Sequence, residues 1–415
     1  MMINRASWLV LLIILGAGEF THAASAAQTW ISTWAASPQE SRPGFGVALD
    51  GQTIRQRMRV TIGGNQVRVR FSNAFGKTPL IIGHATIGIP ADTAATVKEG
   101  SLKALTFGGR ASVTIPPGAP AISDPVAIDL PADSLATISL YLPEKLDASY
   151  TVHALGLRTA IISPKGDFTD KATVPEAAKS ESTYFVMELM VPRKPDQFTI
   201  VAFGDSITDG NNSTVEADAS WPAVFARRLA AAGKADKIAI VNQGIGGNQM
   251  RKDFAGVSAQ ARFDRDALAI PGVKYIVLLE GINDLGFPGA KMGGQLLAPP
   301  DSMPTADDII ATYQQLIGRA HLHGLKIYGA TLTPFKGTDL PGYYEDSKEP
   351  VREKINEWIR TSGAFDAVID FDAVLRDSAD PHRAAAPLIS PRDHLHPSDA
   401  GYKKMAESID LGLFK

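Results

Sequence analysis

Ser206, Asp393 and His396 are the side chains of this sequence best suited to covalent chemistry, and each sits in a short polar block. Ser206 lies in Gly204-Asp205-Ser206-Ile207-Thr208, and the other two lie in Asp393-His394-Leu395-His396-Pro397. A serine hydroxyl is inert until a nearby base accepts its proton, and that base needs a partner to orient it. His396 can be the base, with Asp393 fixing its tautomer and stabilising the imidazolium. The D-x-x-H spacing lets one short turn supply both groups. Attack on a carbonyl then creates an oxyanion, which needs donors already aimed at it. The Ser206 and Gly247 backbone N–H groups and the Asn283 carboxamide can provide them. Losing one such donor typically costs on the order of a hundred- to a thousand-fold in rate.

Each of these residues also has a plainer reading. Gly, Asp, Ser and Thr are all turn residues, so the block around Ser206 alone is equally an ordinary strand-to-helix turn. His394 is an alternative base, although the D-x-x-H spacing favours His396. Asp205 reads as a turn and hydrogen-bonding residue, and Asp284 as a cap for the segment after it. Asn242 either supports the loop through Gly247 or merely ends a strand. His321 and His323 are two apart at a helix end, where they do not face one another. They read as partners for the helix dipole and not as a metal pair.

The elements that must position these groups read as a parallel sheet. Strand-like runs at 198–203, 238–242, 275–279, 325–332 and 367–371 alternate with helical stretches. Ser220 can cap a helix carrying Val224, Phe225 and Leu229, which Gly233 stops. Thr305, with Asp308 three residues on, can cap another whose stripe is Ile309, Ile310, Tyr313, Leu316 and Ile317. Ser398 can cap the last. Strands alternating with helices imply a parallel sheet covered on both faces. All its strand C-termini then share one edge, so Ser206, Gly247 and Asn283 converge there. Residues 280–305 form a Gly/Pro-rich loop at that edge. It is expected to expose Phe287, Met292, Leu296 and Leu297 and to help form an acyl or alcohol pocket.

The preceding part of the chain has another texture. Runs at 54–62, 67–71, 80–89, 112–115, 126–130, 136–142 and 184–190 alternate apolar with polar residues between Gly and Pro breakers. The first two, separated by Gly63-Gly64-Asn65, read as a β-hairpin with Arg68 and Arg70 on a wet face. A β-sandwich or jelly-roll-like domain is expected over 27–195, with a boundary at the Pro-rich 192–195. Trp30 and Trp34 stand at its start and no tryptophan follows until Trp221. That argues against an aromatic sugar platform and for a domain that shapes the active site.

The blocks at Ser206, Gly247, Asn283 and His396, with Asp393 in D-x-x-H, resemble the SGNH hydrolases, the GDSL-type esterase and lipase family. The likeness covers roughly 197–415. Thr29 to Ser37 also resembles the leading domain of one secreted branch. This resemblance implies a flavodoxin-like three-layer α/β/α sandwich over 196–415 and metal-free serine ester hydrolysis. Gly244-Ile245-Gly246-Gly247-Asn248-Gln249 begins like a dinucleotide fingerprint, but Gln249 replaces the last glycine. Walker A, H-E-x-x-H and G-x-S-x-G patterns at these positions are absent, which removes their chemistries;.

Composition narrows the rest. A net charge of −3 gives neither a nucleic-acid footprint nor a polybasic membrane patch;. The 415 residues contain no cysteine, so disulfides and thiolate metal sites are excluded;. Arg5, the apolar run 8–16 and Ala24-Ser25-Ala26 read as a signal peptide cleaved after Ala26. The mature protein is therefore expected in the periplasm or outside the cell, without a stable membrane anchor. No cofactor, metal or protein partner is implied. The expected activity is a serine esterase acting on acetyl or other short acyl esters of carbohydrate. The alternatives are an aryl or short-chain lipid esterase, or an acyltransferase using the same residues.

Overall fold

A computed structural model describes residues 28–42 and 47–415. The expected signal peptide lies outside the described residues. No helix among the described residues is long and apolar enough to cross a membrane.

The N-terminal half is β-rich, and no helix occurs in it among the described residues. One antiparallel sheet runs in the order Trp30–Ala35, Val186–Pro192, Gly64–Ser72, Val126–Leu130, with Pro120–Ile122 also paired to Gly64–Ser72. A six-stranded sheet contains Ala178–Ser180, Ala160–Lys165, Asp50–Val60, Ser134–Lys145, His84–Gly88 and Lys103–Ala104. The expected hairpin does not form. Asp50–Val60 and Gly64–Ser72 belong to different sheets, and the Gly63 turn passes the chain between them. Alternation specifies which face of a strand is buried but not which strand lies beside it. Ile54, Met58 and Val60 from one sheet meet Val67, Val69 and Phe71 from the other in a single core. The expected wet face is half covered: Arg68 lies over the Trp30 ring, and Arg70 pairs with buried Glu188 at 2.9 Å.

The C-terminal half contains a five-stranded parallel sheet. Its strands are β1 (Phe198–Gly204), β2 (Ile238–Gly244), β3 (Val273–Leu279), β4 (Lys326–Ala330) and β5 (Ala367–Ile369), in the order β2-β1-β3-β4-β5. This is the flavodoxin-like order, in which the chain reverses direction across the sheet at β1/β3. Pleating sends alternate residues to opposite faces. Val201 and Phe203 of β1 join one cluster, with Tyr313 and Ile317. Phe198, Ile200 and Ala202 join another, with Phe225 and Met405.

Four longer helices cover the sheet: α1 (Trp221–Ala231), α2 (Ala306–Leu322) and α4 (Asp399–Ser408) carry those partners, and α3 (Glu349–Thr361) adds Ile355 and Ile359 to the first cluster. Thr305 and Asp308 form the expected capping box, and the Ser398 hydroxyl accepts from Gly401 N–H. Each such cap contributes about 1 kcal/mol. Ser220 occupies the capping position of α1, yet its side chain makes no capping bond; Pro222, in the first turn, needs no N–H partner;. Phe287, expected to be exposed, is buried with Ile282, Ala290, Phe335, Tyr343 and Leu395. Met292 and Leu296 are exposed as expected, on a short hairpin.

Candidate active site

The ends of β1, β2 and β3 deliver three of the polar blocks to one edge of the sheet, and the segment before α4 delivers the fourth. β1 turns directly into the short helix Ser206–Asp209, capped by the Asp205 carboxylate through Ile207 N–H at 2.9 Å. The turn is tight enough that a Cβ on Gly204 would stand 2.2 Å from Leu279 O. Ser206 is thus fixed at the first position of a helix.

Ser206 Oγ lies 2.8 Å from His396 Nε2, and His396 Nδ1 donates to Asp393 Oδ2 at 2.5 Å. With its proton held on Nδ1 by the carboxylate, the ring presents a bare Nε2 to the hydroxyl. Burial raises the Asp393 pKa, but the His396 hydrogen bond and the charge the ring carries once protonated, with the Leu395 and His396 N–H groups, hold it at about 2. Asn212 Nδ2 donates to the same Asp393 oxygen at 2.7 Å. His394, the alternative base, instead faces Asp339 at 2.9 Å and is about half exposed.

Gly247 has φ +72°, a left-handed conformation that glycine adopts without strain;. Among the described residues neither its N–H nor that of Ser206 donates to another protein group. Asn283 Nδ2 donates to Asn248 O at 2.8 Å, and Asn283 Oδ1 accepts from Tyr343 Oη at 2.8 Å. Gln249 Nε2 reaches Asn283 O at 3.3 Å. Asp284 does not cap the segment after it; its carboxylate accepts from Met250 N–H at 2.7 Å and tethers the glycine loop. Asn242 lies within β2, not at its end. Its amide donates to Thr208 O at 2.8 Å and its Oδ1 accepts from Gly244 N–H at 2.9 Å.

Beneath the loop lies a fully buried charge cluster. Arg262 donates to Gly204 O, Gln243 O and Asn248 Oδ1, each at 2.8 Å. It also donates to Ser37 Oγ at 3.0 Å and stands 3.6 Å from Glu280. Burial pushes Asp205 up to about 7, and the nearby Asp284 and Asp209 carboxylates add to this against the Ile207 N–H and Arg262. Burial and the Asp205 charge push Glu280 well above the ordinary range. Burial likewise raises Asp284 to about 6, opposed by its backbone donors. The low-dielectric surroundings favour neutral carboxyls beside the one guanidinium.

Sequence reasoning missed Arg262, Tyr343, Asn212, Asp209, Ser37 and His153. Asp209 joins the last of these to the loop. His153 Nε2 donates to Asp209 Oδ1 at 3.0 Å, and Asp209 Oδ2 accepts from Gly246 N–H at 2.9 Å. His321 makes a 2.9 Å contact with Asp366. The one described group of His and acidic residues close enough to hold a metal is Glu349, Glu353 and His382, which lies on and beside α3 and contains neither His396 nor Asp393.

The model of the GDSL-like lipase/acylhydrolase family matches residues 202–404. No curated protein matches the chain. Solved structures similar to it include a lipase/acylhydrolase from Enterococcus faecalis, 18% identical over 51% of this chain and 93% of that one, with a TM-score of 0.38. An acetyl xylan esterase is 20% identical over 51% of this chain and 97% of its own, with a TM-score of 0.38. The M. smegmatis aryl esterase is 13% identical over 51% of this chain and 95% of its own, with a TM-score of 0.39. The four polar blocks all fall within this match, and residues 202–404 are a domain of the GDSL-like lipase/acylhydrolase type, a family of carboxylic ester hydrolases.

Proposed function

We propose that this protein is a serine esterase in which Ser206 is the nucleophile, His396 the general base and acid, and Asp393 its orienting partner. The observation that carries this reading is the unbroken chain Ser206 Oγ–His396 Nε2, 2.8 Å, and His396 Nδ1–Asp393 Oδ2, 2.5 Å. Ser206 Oγ attacks the ester carbonyl as its proton passes to His396 Nε2. The carbonyl oxygen gathers the negative charge and takes hydrogen bonds from the Ser206 and Gly247 N–H groups and the second Asn283 amide proton. His396 then protonates the departing alcohol oxygen. Water then attacks the acyl carbon as it gives a proton to His396; the bond to Ser206 Oγ breaks, His396 returns the proton to that oxygen, and the free acid departs.

Short acyl groups on a carbohydrate alcohol are the substrates this reading favours. The leaving alcohol departs on the His396 side. Asn211, Asn212, Asp339 and His394 make that side polar, which suits a hydroxylated leaving group. Exposed Met292, Leu296 and Phe254 favour the second reading, an aryl or short-chain lipid ester. Acyl transfer to a sugar would use the same triad with water kept out. We further propose that residues 27–195 form a β-sandwich-like accessory domain and 196–415 a three-layer catalytic domain. The protein is proposed to act in the periplasm or outside the cell.

The test is an ester panel varying acyl length and sugar or aryl alcohol, with free acid measured against transfer product. A serine-reactive organophosphonate is run beside it and should label the protein but not Ser206→Ala. Labelling of Ser206→Ala would remove Ser206 from the mechanism. Preference for long acyl chains would remove the short-acyl reading.

A further inference from the structure

The β-rich half does more than cover the sheet; it grips the loop that carries Gly247. Three of its side chains reach across. Ser37 Oγ lies 2.5 Å from Gln243 Oε1, in the strand that feeds the loop. Gln39 Nε2 donates to Ala255 O at 2.9 Å on the far side of the loop, and Gln39 Oε1 accepts from Ala154 N–H at 3.0 Å. Between them His153, only 5% exposed, contacts Asp209 at 3.0 Å.

His153 is held from both ring nitrogens. Nδ1 faces Ser37 O at 3.0 Å and Nε2 faces Asp209 Oδ1 at 3.0 Å. A carbonyl and a carboxylate can only accept, so both nitrogens must carry hydrogen and the ring is an imidazolium. Burial opposes that charge, but Asp209 and the backbone acceptors outweigh it and raise the His153 pKa. The Asp209 carboxylate ends the short helix that Ser206 begins, and its other oxygen accepts from Gly246 N–H at 2.9 Å. One carboxylate therefore fixes the spacing between the serine helix and the residue just before Gly247. It can do so only while buried beside a positive partner, because an unpaired carboxylate at that depth is strongly disfavoured.

We propose that His153, contributed by the β-rich half, is a positioning residue for ester hydrolysis: through Asp209 it sets the Gly246–Gly247 loop against Ser206. The proposal rests on the esterase reading above. It assigns the β-rich half a part in turnover, separate from any part in substrate capture.

Turnover of p-nitrophenyl acetate by the full chain tests this, with wild type, Ser206→Ala, His153→Phe and His153→Gln compared. His153→Phe keeps a ring and removes both donors. Its kcat should fall on the order of tenfold or more, short of the hundred- to thousand-fold expected from losing an oxyanion donor outright, while KM stays within about twofold. His153→Gln retains an amide able to donate to Asp209 and should recover part of the loss. A folded His153→Phe enzyme with wild-type kcat, or with a change confined to KM, overturns the proposal. Turnover surviving in Ser206→Ala would instead overturn the esterase reading itself. Should His153→Phe not fold, His153→Gln and the ¹⁵N signals of the wild-type ring decide. Both nitrogens protonated at neutral pH support the ion pair, and one bare nitrogen overturns it.

Discussion

Tyr343 Oη donates to Asn283 Oδ1 at 2.8 Å from a position 60 residues further along the chain. The bond fixes which end of the carboxamide is nitrogen. With Oδ1 satisfied by a hydroxyl that burial keeps protonated, Nδ2 must point the other way, to Asn248 O and the space beside the glycine loop. Asn283→Ala should therefore lower kcat about a hundred- to a thousand-fold. It also strands a buried tyrosine hydroxyl, which costs about 1–3 kcal/mol of stability. Tyr343→Phe keeps the packing and should lower kcat much less. Equal rates for Asn283→Ala and wild type, at matched fold by circular dichroism, would take the amide out of the mechanism.

Asp393 lends itself to a conservative replacement. Asn at this position preserves shape but offers His396 Nδ1 either an amide oxygen without charge or an N–H that drives the ring into the wrong tautomer. Asp393→Asn is expected to lose on the order of 10³–10⁴ in kcat at neutral pH, while phosphonate labelling slows in proportion. Retention of more than about a tenth of wild-type kcat would show that another group orients the ring.

The sequence made the four reactive blocks legible because each is local. A strand end followed by Gly-Asp-Ser, and an acid three residues before a histidine, need no knowledge of distant pairing. What supports them was hidden for the same reason. His153 and Asp209 are 56 residues apart, and Arg262 and Ser37 are 225 apart. Nothing in the local pattern around Arg262 distinguishes a hub buried beneath a glycine loop from a solvated helix residue. The expected hairpin failed because alternation carries no information on partners. Phe287, between Gly286 and Pro288, reads locally as a surface residue, yet Tyr343 and Phe335 supply its cover from another segment.

Buried carboxyls give the fold an unusual pH response. Burial pushes Glu188 up to about 7 against the Arg70 charge, while Asp205 rises to about 7 and Asp284 to about 6. In the unfolded chain these groups titrate near 4, so the folded state binds more protons across the interval. Their stabilising contribution is complete below the unfolded values and is lost as pH rises through the folded ones. Tm should accordingly fall between about pH 5 and about pH 7. Glu188→Gln, remote from Ser206, should make that fall shallower. A Tm that is flat or rising over the window, or a slope unchanged in the variant, contradicts the assignment.

The outer edge of β2 would be an unpaired parallel strand without the β-rich half. Thr61 Oγ1 accepts from Ile240 N–H at 3.1 Å and lies 2.9 Å from Thr33 O, to which it donates. A second tie holds the same half to the starts of β1 and β3: Ser32 N–H donates to Pro271 O at 3.0 Å, and Thr199 Oγ1 reaches Ser32 O at 3.1 Å. An exposed strand edge invites pairing with another chain. A chain beginning at residue 193 should therefore aggregate, whereas the full chain stays dispersed by size-exclusion chromatography. A point change separates this from the gross loss of half the protein. Thr61→Val keeps the side-chain shape but leaves Ile240 N–H without its acceptor, and should cost about 1–3 kcal/mol in denaturant unfolding with kcat nearly unchanged. A stable, monodisperse truncated chain, or a Thr61→Val protein as stable as wild type, would mean that the edge does not depend on this cover.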